Sequence, residues 1–85
     1  MDLVAAEIEG LFEELGLRGV TLVIQVDHSL LATGESPWSI LISGPAVRHG
    51  GIQIESCRTF SECLESGLRK LREISDEWEW LEMYL

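Results

Sequence analysis

Gly19-Val20-Thr21-Leu22-Val23-Ile24-Gln25-Val26-Asp27 is the stretch on which the fold turns. In an extended chain Val20, Leu22, Ile24 and Val26 point one way, and Thr21, Val23, Gln25 and Asp27 the other. That alternation predicts a strand over 19–27 with one buried face. A strand of this kind needs strand neighbours and an apolar layer to cover it.

Both lie close by. Upstream, Val4, Ile8, Leu11 and Leu15 recur at helical spacing with Phe12 beside them, so residues 2–15 read as a helix. Asp2 stands as its N-cap, and Gly16 at the place of a C-terminal glycine. Downstream, residues 28–37 read as a loop broken by Gly34, Ser36 and Pro37. A second strand follows at 38–43 with Trp38, Ile40 and Ile42 on one face. Gly44-Pro45 and Gly50-Gly51 bracket the connection to a third strand at about 51–56, with Ile52 and Ile54 inward. Short connections between consecutive strands favour an antiparallel meander.

Thr59 and Glu62 form a capping box, so a second long helix begins there. Phe60, Leu64, Gly67, Leu71, Ile74, Trp78, Leu81 and Leu85 make its stripe. Gly67 interrupts that stripe and marks a close contact with the sheet or the first helix. Ser75-Asp76 offers a fresh cap, so the segment either runs as one helix to Leu85 or breaks at Ser75. The whole is one α+β domain over residues 1–85, in α-β-β-β-α order. It has two layers, a three-stranded antiparallel sheet with both helices on one face. The expected core is Val4, Ile8, Leu11, Leu22, Ile24, Ile40, Ile42, Ile54, Leu64, Leu71 and Ile74. Val23 and Leu41 are the apolar exceptions on the open face of the sheet.

Eighty-five residues, 46% hydrophobic, suit one small folded domain. No apolar run reaches the roughly 18 residues of a membrane span, and Met-Asp-Leu-Val-Ala-Ala-Glu lacks the basic and apolar regions of a secretory signal. A soluble, cytoplasmic protein with free Cys57 and Cys63 is therefore expected.

The net charge of −9 is unevenly placed. Residues 2–14 hold five acids and no base, residues 73–82 hold five more and no base, and the remainder is nearly neutral. Direct nucleic-acid binding needs clustered Lys and Arg, and here the sign is wrong. A basic protein is the better partner. The candidate contact residues are Glu7, Glu9, Glu13, Glu14, Glu73, Asp76, Glu77, Glu79 and Glu82. Trp80 joins them: on a continuous helix it cannot share a core with Trp78. It then serves a partner, or packs on the domain's own edge or in a homodimer. Glu65 with Arg69, and Arg72 with Asp76, are spaced as helical ion pairs.

No catalytic or metal site is expected. Asp27-His28-Ser29 contains triad residue types, but adjacency in sequence is not triad geometry. His49, in Arg48-His49-Gly50-Gly51, reads as an exposed turn residue. Cys57 and Cys63 lack zinc-finger spacing, and the acids lack a calcium-loop pattern. No cofactor is implied.

The α-β-β-β-α order resembles the double-stranded-RNA-binding domain in topology. That family grips phosphates with lysines at the start of its second helix. Here the place reads Thr59-Phe60-Ser61-Glu62-Cys63-Leu64-Glu65, so the activity does not carry over. In size, charge and layout the chain is similar to small acidic phage inhibitors of the anti-CRISPR type. That resemblance implies a non-catalytic, carboxylate-rich face set against a basic, nucleic-acid-handling effector in the host cytoplasm, as a nucleic-acid mimic. The alternatives are an immunity protein or antitoxin capping a nuclease toxin, and a homo-oligomeric assembly module.

Overall fold

The computed structural model describes residues 2–47 and 50–85; His49 lies outside them. The elements are α1 (Ala5–Leu17), β1 (Thr21–Val26), α2 (His28–Ala32), β2 (Trp38–Ser43), β3 (Ile52–Cys57) and α3 (Phe60–Ile74), followed by a 3₁₀ segment (Asp76–Met83). The three strands form one antiparallel sheet in the order β1-β2-β3. The α+β reading with a three-stranded antiparallel meander is what the chain adopts.

α1 starts later than its sequence suggests. Val4 is the N-cap rather than Asp2, and its N–H donates to Glu7 Oε1 at 3.1 Å. Val4 is consequently 63% exposed and no part of the core. Gly16 is helical, and Gly19 ends the helix at φ +88°. The Gly19 N–H donates to the Gly16 carbonyl, and the Val20 N–H to the Leu15 carbonyl at 3.0 Å. This is the Schellman pattern, with Val20 and Leu15 both buried beside it.

β1 and β2 pair without interruption from Thr21↔Ser43 to Val26↔Trp38. The Leu22, Ile24, Ile40, Ile42, Ile52 and Ile54 side chains share the covered face, because directly paired residues point the same way. β2 and β3 pair in register from Ile42↔Ile52 to Ile40↔Ile54 and then slip, so that Trp38 faces Cys57. The extra residue is accommodated at Ser56, a non-glycine at φ 61°. Cys57 thereby turns inward and is 3% exposed.

The predicted 28–37 loop contains a helical turn. Asp27 caps α2, accepting from the Ser29 and Leu30 N–H groups and the Ser29 hydroxyl. The Asp27-His28-Ser29 run is thus a helix cap. The Ser29 hydroxyl, then the Leu30 N–H, hold the Asp27 carboxyl below its ordinary range.

α3 lies on β2 and β3, α1 on β1, and the 3₁₀ segment on α3. Leu11, Leu15, Ile40, Ile42, Leu64, Leu68, Leu71, Trp78 and Leu81 join one continuous core. Each such Leu or Ile contributes about 1.5–3 kcal/mol by leaving water. The Thr59 hydroxyl accepts from the Glu62 N–H at 3.1 Å, which is one half of the expected capping box; the Glu62 carboxylate accepts from the Arg58 N–H at 3.2 Å, one residue before the cap. Gly67 is the close contact its place in the stripe suggests, and its neighbour is the sheet. A Cβ there would lie 3.0 Å from Ile40 Cδ1 and 3.1 Å from Ile42 Cδ1.

The α3 stripe does not run to Leu85 as one helix. Ser75 is extended, at φ −161° and ψ 153°, and its hydroxyl accepts from the Glu77 N–H to open the 3₁₀ segment. Ile74, the last residue before this break, is 41% exposed instead of core. No helix among the described residues is long and apolar enough to cross a membrane.

Candidate functional site

The two acidic segments meet through Arg18. Its Nε bonds Glu14 Oε1 at 2.8 Å, one turn back on α1, and its guanidinium lies 4.9 Å from the centre of the Trp80 ring. Trp80 is half-buried, between Trp78 at 6.4 Å and Tyr84 at 6.0 Å, centroid to centroid. It packs on the domain's own edge, and the indole N–H groups of Trp78 and Trp80 are buried with no partner among the described residues. The break at Ser75 makes this placement feasible. In a 3₁₀ turn, residues two apart are separated differently than in an α-helix, so Trp78 enters the core while Trp80 flanks it.

The ten acids of the two segments differ in how far they are neutralised. Besides Glu14, Glu73 lies 4.0 Å from Lys70 Nζ, Asp76 3.7 Å from Arg72 Nη1, and Glu82 3.5 Å from Arg72 Nε. The Arg72–Glu82 contact is an ion pair without hydrogen-bond alignment, since Arg72 Nε is buried and unbonded. Glu65–Arg69 forms as its spacing predicts, at 3.5 Å. Glu7 carries the Val4 N–H. Asp2, Glu9, Glu13, Glu77 and Glu79 are exposed and have no ion pair or side-chain hydrogen bond among the described residues. Three cations from outside the acidic segments therefore answer four of their ten acids, and the remaining negative charge faces solvent.

Surface ion pairs of this sort stabilise by about 0–1 kcal/mol each. Their larger effect is on the field. They lower the charge where α3 meets the 3₁₀ segment and leave Glu9 with Glu13, and Glu77 with Glu79, as the uncompensated pairs. The sequence singled out all of these acids but not Arg18, although the i, i+4 spacing of Glu14 and Arg18 was a readable signal.

The thiols lie away from this surface. Cys57 ends β3 and Cys63 sits in the first turn of α3; both are free and buried. Burial, and next the neighbouring Cys57 thiol, push Cys63 up to about 12. A thiol so raised is a packing group and not a nucleophile at neutral pH.

No family model, curated protein or solved structure matches this chain.

Proposed function

We propose that this protein is a non-catalytic acidic inhibitor of a basic, nucleic-acid-handling protein, of the anti-CRISPR type. It acts by setting carboxylates against a Lys/Arg-lined site. One observation carries the reading. The unneutralised acids belong to two chain segments distant in sequence, and Arg18, bonded to Glu14 and lying over Trp80, ties those segments together. A carboxylate surface on a folded scaffold can occupy a channel that otherwise holds a sugar–phosphate backbone, because such channels are lined by cations.

Association should be steered by charge, fast at low salt and slowing as the Debye length falls to about 10 Å at 0.1 M. The test is a competition assay. The effector recovered from the source cell is titrated with this protein in the presence of the effector's own DNA or RNA. Wild type should displace nucleic acid, and Glu77→Lys with Glu79→Lys should not. The variant should keep its fold, since exposed substitutions usually stay within about 0.5 kcal/mol. Simultaneous binding of protein and nucleic acid, with no loss of affinity for either, would rule out mimicry.

A further inference from the structure

Arg58 stands apart from the other cations. Arg18, Arg69, Lys70 and Arg72 each have an acid within 4.0 Å. Among the described Arg and Lys side chains, Arg58 alone has neither an ion pair nor a hydrogen bond. Only its backbone is engaged, the N–H donating to Glu62 Oε2 at 3.2 Å just ahead of α3. The chain holds 15 acids against 6 Lys and Arg, so a guanidinium left unanswered reflects its surroundings and not a shortage of carboxylates.

Those surroundings are a groove of about 480 Å³, bounded by the end of α2, the start of β2 and Arg58. Sites that take small molecules span roughly 300–1,000 Å³ and are mainly apolar, with a few placed polar groups. Here the apolar part is Leu31, Pro37 and Trp38. Leu31 is 60% exposed, Pro37 is buried and Trp38 half-buried. The walls are held in place. The Pro37 carbonyl accepts from the Asp27 N–H at 2.9 Å, and the Leu30 carbonyl from the Glu35 N–H at 2.9 Å. Phe60 meets the Trp38 ring edge-on, 5.7 Å between centroids. Glu35 also lines the groove; its Oε2 accepts from the Thr33 hydroxyl at 3.2 Å.

We propose that this groove binds a monoanion, a single carboxylate carried on an apolar body. The carboxylate meets Arg58, and the body lies against Leu31, Pro37 and Trp38. A guanidinium takes a carboxylate through two parallel N–H bonds. One cation beside Glu35, in a protein of net charge −9, offsets a single negative charge and not the double charge of a phosphate monoester. A small bare anion such as acetate gains little here, because it leaves the apolar wall in water. The same chemistry is offered by a free organic acid and by the C-terminus of a peptide whose last side chain is apolar. None of the acids proposed to meet a basic effector lines this groove, so the two sites are testable one at a time.

The experiment titrates the intact protein with N-acetylphenylalanine, its primary amide and phenyl phosphate, followed by NMR. The acid should shift the Trp38 indole, the Leu31 methyls and the Arg58 guanidinium. It should bind at least about tenfold more tightly than the neutral amide, which cannot form the charged hydrogen bonds. Phenyl phosphate should bind more weakly than the acid. Arg58→Gln keeps the backbone N–H at the helix start and should lower the affinity for the acid to that for the amide, with the amide unchanged. Leu31→Ala, at an exposed position, should weaken acid and amide alike. Acetylglycylglycylphenylalanine separates the two sources: affinity equal to the acid's assigns the groove to a chain terminus, and much weaker binding assigns it to a free acid. Equal affinity for acid and amide, or tighter binding of the phosphate, would overturn the proposal. So would an Arg58→Gln protein that binds the acid as wild type does, or no shifts at these residues up to about 10 mM acid.

Discussion

Replacing Gly67 with alanine sets two effects of known size against each other. In an open helix the change stabilises by about 1 kcal/mol, because glycine is the poorer helix former. Here the new methyl would sit 3.0 Å from Ile40 Cδ1, 3.1 Å from Ile42 Cδ1 and 3.2 Å from Ile40 Cγ2. Ile40 and Ile42 are 1% and 0% exposed, so neither has free space to retreat into. Overpacking of this kind costs about 1–3 kcal/mol. The net expectation for Gly67→Ala is a loss of about 1 kcal/mol, or roughly 4–8 °C in Tm for a domain of this size. Ile40→Val removes the nearest colliding atom and alone should cost about 0.5–1.5 kcal/mol. Combined with Gly67→Ala it should cost less than the sum, with a coupling of about 1 kcal/mol. Urea unfolding followed by the fluorescence of buried Trp78 measures all three variants. A Gly67→Ala protein more stable than wild type, with additive behaviour in the double variant, would show that α3 does not press on the sheet at this point.

Trp78→Ala should cost about 3–5 kcal/mol as a buried large-to-small change. Trp80→Ala should cost about 1–2 kcal/mol and release Arg18, visible as a shift of its guanidinium NMR signals; equal losses would mean Trp80 is as deeply packed as Trp78. At pH 8 native Cys63 should resist a thiol-reactive disulfide reagent and react on unfolding, since a pKa near 12 leaves roughly a thousandth of the thiolate present near the ordinary 9.0. The folded state holds that proton more tightly, so the Cys63 contribution to stability is intact below the unfolded thiol pKa and falls as pH rises from about 9 toward 12. Fast labelling of native protein, or stability that rises over that range, would contradict the burial.

The periodic parts of the chain were legible because one force dictates them. Leu11, Leu15, Ile40, Ile42, Leu64 and Leu71 fall in the core where their spacing puts them, and the Thr59 hydroxyl caps α3 at the expected start. The ends were less so. Val4 continues an apolar spacing, yet the Glu7 carboxylate at its N–H makes it the cap, and one cap residue outweighs one more apolar match. Ile74 likewise fits the stripe, but the Ser75 hydroxyl offers the backbone a competing partner and the helix ends there. Leu68 is fully buried though it lies beside the stripe first drawn, because α3 rests on a broad surface and not a seam. The acids of the candidate surface were all visible in the sequence. Which of them keep their charge uncompensated was legible only in part: the spacing of Arg72 and Asp76 announced their pair, whereas the reach of Arg72 to Glu82 depends on how the 3₁₀ segment folds back on α3.

Ser56 has a consequence for how long β3 has to be. Ile52, Ile54 and Cys57 face the core, and without Ser56 those three would fall at strict intervals of two. The core would be served equally well by a strand one residue shorter, lacking a left-handed serine that costs about 1–2 kcal/mol. The added residue therefore answers to something other than burial. It acts as a reading-frame insertion confined to one side of the sheet. A one-residue deletion there would leave the interior in phase while straightening the outer border of β3.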